Sequence, residues 1–214
     1  RVVRRIAARC EALPVKVSTI PSLAEIVQGK VTISKLRQVR MQDLLTRAVV
    51  DFPRDEGLIG SYQNRRILIT GAAGSIGSEL ARQLRLFEPA ELMLLDKDEN
   101  GLYEVGLEMR ELVPGRIREI VANIRDQERM GRVFESCRPD VVFHAGAYKH
   151  VPMMETHPSE AVLNNIVGTR NIVDLAILGE VSSLVLISTD KAVNPTSVMG
   201  ATKRIAELLV QDRA

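Results

Sequence analysis

The 214-residue sequence is poor in cysteine, in surplus charge of either sign and in long apolar runs. Its two cysteines, Cys10 and Cys137, lie far apart and in no metal-type spacing, so a disulfide framework is not expected and both read as free thiols in a reducing compartment. A formal net charge of +2 is too close to balance to argue for nucleic acid or an anionic membrane surface as partner. No apolar run approaches the roughly 18 to 20 residues that span a bilayer, and the Arg-rich start lacks the apolar segment of a signal peptide. The three histidines suggest no metal site: His144 reads as a strand residue packed near a ligand cleft, and His157, before Pro158, as a helix-entry residue. Helix stop signals are missing too. The chain opens at Arg1 in what reads as a helix in progress and ends in "ATKRIAELLVQDRA" with no glycine or proline, so neighbouring segments are expected on both sides.

What is present is a 45% hydrophobic composition, core enough for one full domain and a smaller piece. Residues 1–60 read as a lead-in with a short α/β character: a basic helix, a short strand in "LPVKVSTI", a turn-helix in "PSLAEIVQGK", then "LRQVRMQDLL". From 61 to 214 the pattern changes. The apolar runs "RILIT", "ELMLLD", "RIREIVAN", "VVFHAG" and "SSLVLIST" alternate with helical segments of about 10 to 20 residues, which predicts βαβ units and a Rossmann-type doubly wound parallel sheet.

The run "ILITGAAGSIGSELARQL" sets Gly71, Gly74 and Gly77 between a strand and a helix. Gly71 suits a tight turn, Gly74 a close backbone approach to a pyrophosphate, and Gly77 a helix packed closely on the sheet. The amides of Ala73, Ser75 and Ile76 then face the phosphates. Asp96 ends the next strand about 20 residues on, where a carboxylate can hold adenosine ribose hydroxyls and favours NAD; the adjacent Lys97 leaves NADP open. Asn123 and Ile124, at the end of the third strand, are placed to meet the adenine edge. Ala145, Gly146 and Ala147 leave the fourth strand beside the glycine turn. Lys149 and His150 follow them toward the same crevice as candidate substrate contacts, and Glu155 reads as a cap of the following helix.

The second motif is "LISTDKAVNPTSVMGATK". Thr189, Asp190 and Lys191 follow the fifth strand, at the carboxyl end where such sheets bind ligands. Lys203 lies one helical turn after Met199, on a face that points toward a nicotinamide ribose. In many enzymes of this layout a tyrosine at the Met199 position moves a substrate proton. A thioether cannot do so, which leaves two readings: a catalyst whose acid and base lie elsewhere in the stretch, or a dinucleotide-binding sensor or scaffold without catalysis.

Together "HAGAYKHVPMMETHPSEAVLNNIVGT" and "STDKAVNPTSVMGATK" resemble the CapD-like nucleotide-sugar 4,6-dehydratases of polysaccharide biosynthesis, a branch of the extended short-chain dehydrogenase/reductases; the likeness runs from about Ile67 onward. The lead-in is similar to the segment that joins the family's membrane-anchored region to its catalytic domain. The resemblance implies a UDP-N-acetylglucosamine 4,6-dehydratase acting in capsule or O-antigen assembly. It implies a cytoplasmic homo-oligomer held at the inner membrane by segments outside this chain, and a substrate lobe beyond residue 214. Carried over by position, Asp190 is the acid, kept protonated by burial, and Lys191 the base, kept neutral by desolvation and nearby cations. Thr189 relays the C4 hydroxyl proton, and Asn194 joins the substrate contacts. Asn165 is implied to be structural.

Overall fold

The computed structural model describes residues 18–19, 37–38 and 56–213. The chain divides into two compact units, Arg1–Pro53 and Arg54–Ala214. In the first, β1 (Ser18–Thr19) pairs antiparallel with β2 (Arg37–Gln38). β1 falls inside the run read as a strand. The helices read at 1–10 and within 21–30, and Cys10, lie outside the described residues.

The second unit begins with α1 (Glu56–Tyr62), a helix that runs across the boundary expected at 60/61. Five strands follow: β3 (Arg66–Thr70), β4 (Glu91–Asp96), β5 (Ile117–Val121), β6 (Val141–His144) and β7 (Ser183–Leu186). They form one all-parallel sheet in the order β5-β4-β3-β6-β7. The connecting helices are α2 (Ser75–Leu84), α3 (Glu99–Leu112), α4 (Gln127–Cys137), α5 (Val151–Thr156), α6 (Pro158–Ala161), α7 (Gly168–Leu178) and α8 (Val198–Arg213).

The apolar runs are strands because both faces of the sheet are covered. Side chains alternate along a strand. Leu68 of β3 therefore joins Met93, Leu95 and Val142 on the face packed by Met130 and Phe134 of α4 and Ile172 of α7. Ile67 and Ile69 turn to the opposite face, with Leu92, Leu94 and Phe143, under Ala81 and Leu84 of α2 and Leu102 and Met109 of α3. Cys137 is buried at the end of α4, and its thiol pKa is raised by that burial. A third, smaller core joins Met154, Ala161 and Met199 between the α5–α6 pair and α8.

Three runs stop short of their read ends: β5 ends at Val121, β6 at His144 and β7 at Leu186, because the residues beyond them leave the sheet to build loops. The order reverses between β3, whose helix leads to β4, and β6, whose helix leads to β7. Their exit loops diverge and open a crevice at the carboxyl ends of the strands.

Candidate active site

The crevice is built on two backbone approaches that exclude a side chain. Gly71 has a φ of +73°, and a Cβ there would lie 2.6 Å from the Gly146 nitrogen, so the turn leaving β3 and the loop leaving β6 touch backbone to backbone. At Gly77 a Cβ would lie 2.1 Å from the Gly71 carbonyl oxygen, so α2 starts directly on the turn. Gly74 is the N-cap of α2, and no side chain caps the first amides. An open helix start in a glycine cradle fits a pyrophosphate.

The cleft brings together Gly71, Gly74, Ser75, Ile76 and Gly77 with Asp96, Lys97, Asn123 and Ile124 on one side and Ala145, Gly146, Ala147 and Lys149 on the other. Ala73 is placed differently. Its amide donates to Asp96 Oδ2 at 3.0 Å, and the Asp98 amide donates to Oδ1 at 3.0 Å, so the carboxylate braces the turn while each oxygen keeps a lone pair for a ribose hydroxyl. Asn123 Oδ1 accepts from the Arg125 amide at 3.1 Å. Tyr148 and Asn164 also line the cleft and were not singled out from the sequence. A loop tyrosine and one of two neighbouring asparagines carry no periodic signal. Lys149 and His150 are exposed, and both line a second cavity with Met153, His157 and Glu160.

Thr189 is the N-cap of a single 3-10 turn, Asp190–Ala192, and accepts from the Lys191 amide at 3.4 Å. Its hydroxyl donates to Asp190 Oδ1 at 2.9 Å, and Lys191 Nζ donates to the same oxygen at 3.3 Å. The burial expected of this pair is not present: the side chains of Asp190 and Lys191 are 86% and 55% exposed. The turn stands at the surface of the described residues. The Thr189 hydroxyl, and then Lys191, hold the Asp190 carboxyl below the usual carboxylate range, so it is ionised at neutral pH rather than protonated. Asn194 is exposed, in a left-handed turn residue with a φ of +51°.

Met199 does not face the turn as a spare proton carrier. It is 3% exposed and fills the core with Met154 and Ala161. Lys203 is 7% exposed and does not line the cleft; its ammonium donates to the Ile187 carbonyl at 2.5 Å, beneath the end of β7. Burial pushes its pKa down, with Glu207 pulling the other way. Gly200 lets α8 lie on the turn, since a Cβ there would be 2.4 Å from the Lys191 carbonyl oxygen. Glu155 caps α8 rather than the helix that follows it, accepting from the Val198 amide at 2.8 Å.

A buried polar chain ties these parts together. Thr169 donates its hydroxyl to the Asn165 carbonyl at 2.6 Å, so it accepts from His144 Nε2 at 3.0 Å; His144 Nδ1 then accepts from Thr70 at 2.6 Å. This fixes His144 as the neutral Nε2–H tautomer. Burial, and next the charge of Lys203, lower its pKa to about 3. Asn165 sits in a π-helical turn, Val162–Val167, and grips both backbone groups of Tyr148 at 2.8 and 3.0 Å as well as Thr202 of α8 at 3.0 Å.

Among the described residues no cluster of ligating side chains could hold a metal, and no helix is long and apolar enough to cross a membrane. Known proteins share the arrangement. The capsular polysaccharide biosynthesis protein CapD of Staphylococcus aureus is 42% identical over 205 residues, covering 94% of this chain and 34% of that protein. A UDP-N-acetylglucosamine 4,6-dehydratase (inverting) of Campylobacter jejuni is 32% identical over 149 residues, 69% of this chain and 43% of that one. The chain thus spans well under half the length of these relatives. Among solved structures, the dTDP-glucose 4,6-dehydratase DesIV of Streptomyces venezuelae, with NAD bound, superposes with a TM-score of 0.59 at 27% identity over 67% of this chain and 50% of that one. The model of the polysaccharide biosynthesis protein family matches residues 67–214, and the chain belongs to that family, within the extended short-chain dehydrogenase/reductases.

Proposed function

We propose that this chain carries the cofactor cleft and proton-handling turn of a UDP-N-acetylglucosamine 4,6-dehydratase of surface polysaccharide assembly. The observation that carries the reading is the Thr189–Asp190–Lys191 turn, with the threonine hydroxyl directed at an ionised carboxylate, at the carboxyl edge of a dinucleotide-type sheet. The 32% identity to a dehydratase of that substrate supports it.

NAD, or NADP given Lys97 beside Asp96, supplies when bound a hydride acceptor for sugar C4 and a hydride donor for C6. The rest is proton traffic among side chains. A C4 hydroxyl that donates to Thr189 Oγ1 passes its proton through that hydroxyl to Asp190. Asp190 thereby becomes the acid that the departing C6 hydroxyl needs. Neutral Lys191 takes the C5 proton, and a proton from the resulting ammonium returns to C5 when C6 is reduced. The C4 proton leaves in the water and C5 regains a proton from the solvent-exchanging Lys191 ammonium, so the sugar loses one water and the side chains end as they began. Met199, in its core, takes no part, which disfavours an epimerase. In this reading Lys149, His150 and Asn194 meet the sugar nucleotide. The domain works in the cytoplasm as a homo-oligomer, attached to the inner membrane through segments outside this chain.

The competing reading, a sensor or scaffold, rests on the absent tyrosine. The test is incubation with UDP-N-acetylglucosamine in deuterated water, for the chain alone and within a polypeptide extended to the length of its relatives, followed by mass spectrometry. Loss of one water with solvent deuterium at C5 supports the dehydratase. A protein that binds NAD yet removes water from no UDP-sugar is the sensor.

A further inference from the structure

Lys97 leaves the end of β4 and Tyr148 follows the end of β6, and β3 lies between those two strands. With about 4.8 Å between neighbouring parallel strands, β4 and β6 stand about 10 Å apart. The two side chains nevertheless meet. The Lys97 ammonium donates to the Tyr148 hydroxyl and lies 4.1 Å from the centre of its ring. Their contact must therefore pass above the carboxyl end of β3, where the Gly71 turn hands over to α2. Both residues line the cleft.

The two halves of this contact differ in freedom. Tyr148 is anchored: Asn165 holds its amide and carbonyl, and its side chain packs against the Met154–Met199 core. Lys97 is exposed, and the neighbouring Asp96 is turned to the main chain, where its carboxylate accepts the Ala73 and Asp98 amides. A fixed aromatic platform with a free cation reaching across to it is a closure that can open from one side.

We infer that Lys97 and Tyr148 form a strap over the switch-point cleft, closing above a bound dinucleotide and slowing its release. The inference rests on the dinucleotide reading of the cleft and adds a reason for the strap. A reaction that returns hydride to the sugar it came from never needs to exchange its cofactor, and release between the two transfers would strand an oxidised sugar. Retention by a side-chain pair leaves the pyrophosphate and ribose contacts untouched.

The test is the dissociation rate of NADH from the full chain, followed by its fluorescence after a chase with excess NAD+, for wild type, Lys97→Met, Tyr148→Ala and the double variant. Each single change removes one partner of a cation–π and hydrogen-bonded contact, and release is expected to quicken about tenfold. The double variant is expected to release no faster than the faster single one, because the strap is already gone. Tyr148→Phe, which keeps the ring and loses the hydroxyl, is expected to fall in between. Release at the wild-type rate in both single variants, or effects that multiply as independent contacts, would overturn the strap. If wild type binds no NADH, the dinucleotide reading fails and the strap with it.

Discussion

Thr189 and Asp190 are consecutive residues joined side chain to side chain, the threonine hydroxyl donating to Oδ1 across 2.9 Å. That bond is the first cause of the lowered Asp190 pKa. Thr189→Val removes it and the relay together. The Asp190 carboxyl should move back toward its ordinary range in an NMR titration. Turnover should fall about 10²- to 10⁴-fold, the span of a lost proton-transfer group, with little change in KM. Thr189→Ser should keep both properties. A valine variant with undiminished kcat would remove Thr189 from the chemistry.

Met199 is a packing residue at the place where a tyrosine would act. Truncation to alanine should cost about 2–5 kcal/mol of stability, as for a buried methionine, whereas leucine should cost under about 1.5 kcal/mol. Denaturant unfolding measures both. Met199→Leu should also retain turnover, since the thioether carries no proton.

His144 predicts an acid limit to stability. Its folded pKa of about 3 lies below the value near 6.5 of an exposed histidine. Above pH 6.5 both states are neutral and nothing is lost. As pH falls from 6.5 toward 3 the unfolded chain binds a proton that the folded one refuses, at about 1.4 kcal/mol per pH unit, or about 2 kcal/mol by pH 5. Urea unfolding at pH 7 and pH 5, compared with His144→Gln, isolates this share: the variant should be less stable at pH 7 and lose less on acidification.

Gly71→Ala and Gly77→Ala place a methyl at 2.6 and 2.1 Å from backbone atoms that cannot yield without opening the turn. Each should destabilise the fold by more than about 1 kcal/mol and weaken NADH binding, measured by fluorescence titration, at least tenfold. Gly131→Ala, in open space on α4, should do neither.

Much of the fold is local information. "RILIT" and "ELMLLD" are strands over the residues that the apolar pattern marks, because a strand covered on both faces needs an uninterrupted apolar run. The glycines at 71, 74 and 77 mark a turn between strand and helix for the same local reason. Glu155 shows the limit. A carboxylate ahead of a helix suggests a cap, but which helix it caps depends on α8 arriving 43 residues later.

The sequence by itself determined the alternation of strands and helices, the glycine turn, the carboxylate at the end of β4 and the chemical types offered after β7, since each follows from neighbours in the chain. Only the tertiary structure decided what those groups experience. It exposed Asp190 and Lys191 at a rim, sank Met199 and Lys203 into the body of the domain, joined His144 to Thr70 and Thr169, and brought Lys97 to Tyr148 across β3. Burial, charge state and contact between distant loops are properties of the packed sheet. They arise from strand order, which no stretch of sequence contains.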